Sequence, residues 1–152
     1  MTDDCMACGL LDGTVPLPGG PLLRTGHWAV EHSVGPLGLG TLIVKPVRHV
    51  TGVDALSGPE AAELGPLLAR TGAAVRAETA DCEQVYVCLW SHKDRVPGHL
   101  HFVVQPARTT DIEHHGGYGP QLQLAQFQED LLPDAAEVEE ICVRLRERLA
   151  RP

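Results

Sequence analysis

The stretch His99-Leu100-His101-Phe102-Val103-Val104-Gln105-Pro106 decides the predicted fold, because its branched and aromatic residues are typical of a β-strand. Successive side chains of a strand point to opposite faces of the sheet. An extended segment over 99–104 therefore has one apolar face, formed by Leu100, Phe102 and Val104, and a second face formed by His99, His101 and Val103. Packing does not require two imidazoles side by side. The pattern indicates a functional histidine pair, with a partly exposed strand that carries incidental histidines as the alternative interpretation.

Patterns on both sides of this stretch predict the remaining elements. Three more short apolar runs are predicted as strands, namely His27–His32, Thr41–Pro46 and Gln84–Trp90. Apolar residues at helical spacing predict a main helix that starts after an N-cap at Ser57 and a second helix over 134–149. Glycines and prolines over 9–21 predict a loop. We therefore expect an α+β domain, an antiparallel β-sheet with one main helix and a C-terminal helix on one side of it.

The composition limits the class of protein and the kinds of partner. The chain has 152 residues, which fits a single domain over 1–152, and its formal net charge is −8. This charge argues against nucleic acid as a partner, because a long polyanion is repelled. The sequence shows neither an apolar run of membrane-spanning length nor a secretory signal, so we expect a cytoplasmic protein that does not enter a membrane. Five cysteines, an odd number, favour metal ligation or buried thiols over disulfides.

A pair of cysteines near the N-terminus, Cys5 and Cys8, is a candidate metal site. Two thiolates separated by two residues can reach one tetrahedral ion, and this is the spacing of a zinc knuckle. The spacing also arises by accident in a chain with five cysteines, so two thiols without a ligand remain the alternative.

The order of these motifs resembles the histidine triad (HIT) superfamily of nucleotide hydrolases and transferases. The resemblance rests on Cys5-x-x-Cys8, on the run Gly35-Pro36-Leu37-Gly38-Leu39-Gly40-Thr41-Leu42-Ile43-Val44-Lys45-Pro46-Val47-Arg48-His49, on a long helix after it, and on the stretch 99–106. It covers about residues 5–107 and leaves a C-terminal extension, 108–152, unmatched. The resemblance implies a HIT-like fold, a nucleotide or nucleotide-conjugate substrate and a homodimer.

For the metal, the resemblance implies a zinc ion held by Cys5, Cys8, His49 and His99. Four protein ligands fill a tetrahedral shell and leave no position for water, which is typical of a structural zinc rather than a catalytic one. We therefore expect the zinc to fix the segment that carries His101, two residues from the ligand His99.

For catalysis, the resemblance implies that His101 is the nucleophile, positioned beside His99. A neutral imidazole can attack an α-phosphorus and form a nucleotidyl-histidine, which water or another acceptor then resolves. Gly98, directly before the pair, would allow phosphate oxygens to approach the backbone closely.

The loop over 91–97 precedes the histidine pair and carries a cluster of polar and positive groups. Ser91 is a candidate donor to a phosphate oxygen, Arg95 or Lys93 a candidate countercharge, and His92 a candidate acid for the leaving group. An ordinary solvated loop is the alternative, and for Lys93 alone we favour it.

Three positions depart from the family pattern. Val103 occupies the position of the third histidine and offers no donor, Thr41 replaces another histidine, and Ser33 aligns with the small acidic residue that relatives use on ribose hydroxyls. These departures point to a changed substrate. The resemblance implies hydrolysis of a phosphoester, phosphoanhydride or phosphoramidate bond at a nucleotide α-phosphate, through a nucleotidyl-histidine. One alternative is a nucleotidyltransferase or phosphorylase of the same superfamily, and another is a zinc-stabilised nucleotide-binding module with weak or no turnover.

Overall fold

The computed structural model describes residues 5–95 and 98–151, in which short strands and helices alternate along the chain. The strands are β1 (Pro21–Arg24), β2 (Trp28–His32), β3 (Leu42–Pro46), β4 (Cys82–Leu89) and β5 (Phe102–Arg108). The helices are α1 (Met6–Asp12), α2 (Gly58–Glu78), α3 (Thr109–His115), α4 (Pro120–Glu129) and α5 (Ala135–Leu149), with a 3₁₀ turn at Val53–Ala55. Within this described part of the chain, none of the helices is both long enough and apolar enough to span a membrane.

The strands form an antiparallel sheet in the order β1-β2-β3-β5-β4, which confirms the predicted α+β class. Glu31 pairs with Ile43, and Ile43 pairs with Val103, so these three residues lie in one row across the middle of the sheet. Leu42 and Val44 flank Ile43 in β3 and point to the opposite face, where both are fully buried. The sheet thus has one apolar face, which contacts the core, and a second face that carries both charged and apolar residues.

The core lies between the first of these faces and the two longest helices, α2 and α5. The sheet contributes Trp28, Val30, Leu42, Val44 and Val104. The helix α5 contributes Val138, Ile141, Cys142, Leu145 and Leu149. The apolar row predicted for the histidine stretch lies on this side, because Val104 belongs to the core and Phe102 packs against it.

Helix α2 begins after Ser57, as the sequence predicts. The Ser57 hydroxyl accepts a hydrogen bond from the backbone N–H of Glu60, and the Glu60 carboxylate accepts one from the backbone N–H of Ser57, which makes a capping box. The same carboxylate accepts two hydrogen bonds from the guanidinium of Arg48. The start of α2 is therefore joined to the segment that follows β3.

The strand that carries the histidines is shorter than predicted. β5 begins at Phe102, so His99 and His101 precede the strand instead of lying within it. Between the two histidines the backbone makes a hydrogen bond outside the sheet: the N–H of Leu100 donates to the carbonyl of Val50 at 2.6 Å. Strict strand alternation therefore does not determine where the two imidazoles point.

Several short elements also differ from the predicted organisation. α1 and β1 overlap the segment predicted as a loop, and α3 and α4 lie in the C-terminal extension. These elements have only 4 to 10 residues, too few for a clear hydrophobic period. Helices moreover lie on both faces of the sheet, because α1 and α4 contribute to a cleft on the face of Ile43 and Val103.

Candidate active site and metal centre

Four side chains from three separate segments form a compact cluster of metal-binding atoms. Cys5 and Cys8 lie at the start of α1, His49 follows β3, and His99 precedes β5. The Sγ of Cys8 lies 3.4 Å from the Nδ1 of His49 and 3.6 Å from the Nδ1 of His99. The Sγ of Cys5 lies 3.8 Å from the Nδ1 of His99. All four ligand atoms lie within 4.8 Å of one another.

The geometry of this cluster fits a tetrahedral zinc ion. With Zn–S of about 2.3 Å and Zn–N of about 2.0–2.1 Å, the S···N edge of the tetrahedron is roughly 3.6 Å. The Nε2 of His99 donates to the carbonyl of Pro46 at 2.8 Å, which leaves the lone pair of Nδ1 for the metal. Burial lowers the pKa of His99 to about 4, so the ring is neutral at pH 7. The residues present therefore match a zinc site in donor type, distance and protonation.

The ring of His101 is half-buried and is oriented by the backbone. Its Nδ1 donates to the carbonyl oxygen of His99 at 2.9 Å, which leaves the lone pair of Nε2 available. His99 thus contributes its ring to the cluster of four metal-binding side chains, and its carbonyl group orients His101.

A cleft of about 380 Å³ is lined by His101 and by residues of α1, α4, the sheet and the loop after β4. Most of its wall is apolar, with Ile43 and Val103 from the sheet and Phe127 from α4. Ser33, Ser91, His92 and Arg95, all predicted from the sequence, also line it. The Oγ of Ser91 is buried and has no hydrogen-bond partner among the described residues.

Gly98 is not among the residues that line the described part of this cleft. A Cβ atom at Gly98 would lie 2.4 Å from the carbonyl oxygen of Lys93 and 3.2 Å from that of Arg95. Glycine is therefore required at position 98 because the loop backbone at Lys93 and Arg95 packs closely against it. Val96 and Pro97, which belong to the predicted loop, lie outside the described residues.

Solved structures with this architecture were found by comparison of the fold. A zinc-bound histidine triad family protein from Mycobacterium smegmatis has a TM-score of 0.71 at 19% identity, with 97% of this chain and 94% of that chain covered. A hypothetical histidine triad nucleotide-binding protein from Sulfolobus tokodaii has a TM-score of 0.73 at 15% identity, with 95% and 91% covered. A HIT family hydrolase from Legionella pneumophila has a TM-score of 0.55 at 15% identity, with 70% and 95% covered. The chain has the histidine triad fold. No protein-family profile and no curated protein sequence matches it.

The histidine triad fold brings together most of the residues singled out in the sequence. The cluster of four metal-binding side chains is formed by residues from distant parts of the chain, Cys5, Cys8, His49 and His99. The other group, His101 with Ser33, Ser91, His92 and Arg95, surrounds the cleft.

A buried ion pair at the cleft escaped the sequence analysis. Glu31 and Lys45 both line the cleft, and the ammonium of Lys45 lies 2.5 Å from a carboxylate oxygen of Glu31. The wall formed by α4 was also missed, where Gln123 accepts from the Nε1–H of Trp90 at 3.0 Å and donates to Gln105 at 2.9 Å. Charged or amide side chains at alternate positions of apolar strands were the available signal.

Proposed function

We propose that the protein hydrolyses nucleotide derivatives at the α-phosphate and that His101 is the nucleophile. The observation that carries this proposal is the hydrogen bond from the Nδ1 of His101 to the carbonyl of His99, because it leaves an imidazole lone pair beside a cleft. Such a ring attacks without first losing a proton.

The reaction proceeds in two displacements. In the first, the Nε2 of His101 forms a bond to the α-phosphorus, the bond from phosphorus to the leaving group breaks, and the leaving group takes a proton. In the second, water attacks the same phosphorus, loses a proton, and the N–P bond breaks, so that His101 is restored. The carbonyl of His99 stabilises the cationic ring of the intermediate through the Nδ1–H.

The side chains around the cleft supply the other groups that this chemistry needs. The unpartnered hydroxyl of Ser91 is a donor for a phosphate oxygen, and Arg95 offsets negative charge. His92 is exposed at the rim of the cleft and donates the proton to the leaving group. Ser33 is the candidate contact to the sugar, in the position that the family resemblance assigns to an acidic residue.

Cys5, Cys8, His49 and His99 hold a structural zinc ion in this proposal. The fit of the four donor atoms to a tetrahedron supports it, as does the zinc-bound neighbour from Mycobacterium smegmatis. A fully coordinated zinc supplies rigidity and no reactive water. His99 then orients its carbonyl group toward His101 from a fixed position.

The same proposal includes a homodimer in a reducing compartment such as the cytoplasm. Large apolar side chains of α4 and the following turn, Leu124, Phe127, Leu131 and Leu132, are more than half exposed and support association of two copies. Five cysteines, an odd number, favour metal ligation or buried thiols over a disulfide framework, which supports the compartment.

A binding module without turnover is the second candidate, and Val103 is the observation that favours it. This side chain lies in the cleft, where a third histidine would supply a proton donor, and valine supplies none.

A trapping experiment separates the two candidates. The chain is incubated with nucleotide substrates labelled at the α-phosphorus and is then denatured in alkali, which preserves a phosphoramidate. We expect labelled protein that loses its label in acid, no label in His101→Ala, and label in His92→Ala. Transfer of the label to an added sugar phosphate or to phosphate would identify a transferase. Tight nucleotide binding without label or turnover would contradict the enzyme and establish the binding module.

A further inference from the structure

The ion pair between Glu31 and Lys45 is unusual because it is buried on the cleft face of the sheet. The two residues are only 4% and 1% exposed, yet both line the cleft. They lie outside the apolar core that α2 and α5 cover. A buried ion pair contributes little net stability, because the loss of hydration offsets the attraction between the charges. Packing therefore does not explain why a lysine occupies this position.

The end of the β3–β5 pairing brings Lys45 close to His101. The last pair is Val44 with Phe102, and Lys45 and His101 are the residues directly beyond it in the two segments. Lys45 and His101 both line the cleft. The pairing of Glu31 with Ile43, and of Ile43 with Val103, positions the carboxylate that holds Lys45 in the row of Val103. Lys45 and its partner Glu31 thus belong to the part of the cleft lining that the sheet supplies, together with His101 and Val103.

The ammonium of Lys45 has hydrogen-bonding capacity that the described residues do not use. An ammonium has three N–H donors. Glu31 accepts one of them, and no other acceptor lies within hydrogen-bond distance among residues 5–95 and 98–151. Lys45 lines a cleft whose wall is mostly apolar, and Ile43 and Val103 in that wall offer no acceptor for the unused donors. An anionic group in the cleft would satisfy them.

We propose that Lys45 forms a phosphoryl-binding subsite, in which its ammonium donates to the oxygens of a phosphate group attached to the ligand. Glu31 holds the flexible lysine stem in place on the cleft floor. The subsite supplies, from β3, the charged donor that Val103 does not supply from β5. This inference rests on the proposed function, since it concerns the same cleft. It predicts that the ligand is anionic at this point, and that its apolar part contacts the rest of the wall.

The test compares ligands that differ only in the phosphate. Binding of AMP, GMP, CMP and UMP and of the matching nucleosides to the full chain is measured by calorimetry. The double variant Lys45→Met with Glu31→Gln removes both charges and leaves no unpaired buried ion. We expect it to weaken the best monophosphate about 10- to 100-fold, the effect of a lost charge-assisted hydrogen bond, and to change nucleoside binding less than about threefold. If the ion pair had only a structural role, the double variant would lose affinity for the monophosphate and for the nucleoside equally.

Two further variants control this comparison. Arg144→Met with Glu140→Gln removes an ion pair of α5, together with the contact of Arg144 with Glu78 of α2, and makes the same charge change away from the cleft, so it should leave both affinities unchanged. Glu31→Gln alone keeps the ammonium and an amide oxygen that can still accept from it, and it removes the competing negative charge, so it should strengthen monophosphate binding severalfold; urea denaturation of each variant checks that it is folded.

The outcomes distinguish this inference from the proposed function. If monophosphates bind the double variant as tightly as the wild type, or if Glu31→Gln weakens nucleosides and monophosphates equally, the subsite is refuted, while labelled His101 would still support the enzyme. If the phosphate-dependent loss occurs but no label forms on His101, the subsite is supported and the enzyme is not. If the wild type binds none of these monophosphates, the subsite is refuted, and the labelling of His101 still decides the proposed function.

Discussion

At His99 and His101, main-chain carbonyl groups determine which ring nitrogen carries the proton. Pro46 accepts from the Nε2 of His99, and His99 accepts from the Nδ1 of His101. The two rings consequently present opposite nitrogens, Nδ1 to the thiols and Nε2 to the cleft. The sequence predicts which residues carry the chemistry. It does not predict these acceptors, because a backbone carbonyl is present at every position and only the fold selects one.

Replacement of Gly98 by alanine is expected to destabilise the protein. The added Cβ would meet the backbone carbonyl of Lys93, which cannot move like the end of a side chain. We expect a loss of about 1–3 kcal/mol in the free energy of unfolding, measured by urea denaturation.

Gly72→Ala is the matched control for this prediction. Gly72 lies inside α2, and a Cβ there would make only an ordinary contact of 3.8 Å with Val85. Alanine is the better helix former, so this variant should gain about 0.5–1 kcal/mol. Equal effects of the two substitutions would contradict the close packing assigned to Gly98.

Among the elements, α2 shows how a sequence-local signal also positions the site. The capping box of Ser57 and Glu60 was predictable in part, because a serine N-cap followed by a glutamate three residues later is a local pattern. The two hydrogen bonds from Arg48 to Glu60 were not, since they join residues 12 apart through tertiary structure. Short elements such as α1 and α4, which form the cleft wall, likewise depend on the sheet against which they pack.

The carboxylate of Glu60 is expected to make stability depend on acid pH. Hydrogen bonds from Arg48, followed by the backbone N–H of Ser57, lower the pKa of Glu60 from 4.5 to about 2. A carboxyl group whose pKa is lower in the folded state stabilises the protein fully above pH 4.5, and this contribution is lost as the pH falls toward 2. Because the side chain of Arg48 is half exposed, water screens the pair, and we expect about 1–2 kcal/mol.

Unfolding measured from pH 7 to pH 2 checks this prediction. Glu60→Gln should be less stable than the wild type at pH 7, and the difference should shrink at low pH. Glu139→Gln, at an exposed position of α5, should follow the wild type throughout. A constant difference between Glu60→Gln and the wild type at all pH values would rule out the assigned origin.

For the molecule as a whole, the cluster of four metal-binding side chains joins segments that are far apart in the sequence. Residues 5–8, 49 and 99 belong to the N-terminus, the segment after β3 and the segment before β5. The order of motifs predicted this cluster through the family resemblance, and the antiparallel sheet followed from strand patterns. The cleft was less predictable, because Glu31, Lys45 and the α4 side chains meet only when both faces of the sheet are covered.

Loss of the metal is expected to destabilise the whole molecule. The purified protein should contain about one zinc per chain, measured by mass spectrometry of the metal. Cys5→Ala should lose it and unfold at a temperature about 10 °C lower, as expected for a loss of about 3 kcal/mol. Cys82→Ser, which changes a thiol outside the cluster, should keep the zinc. A metal-free wild type of unchanged stability would disprove the zinc site.

The hydrogen bond between the ring of His101 and the carbonyl of His99 has a consequence for protein engineering. Its acceptor is a peptide oxygen, so none of the other nineteen side chains placed at position 99 deletes that atom. The acceptor that sets the tautomer of the nucleophile is therefore present with any side chain at position 99. It is displaced only by a change in the path of the chain, such as loss of the metal-binding ring would permit, or by replacement of the peptide unit itself by synthesis.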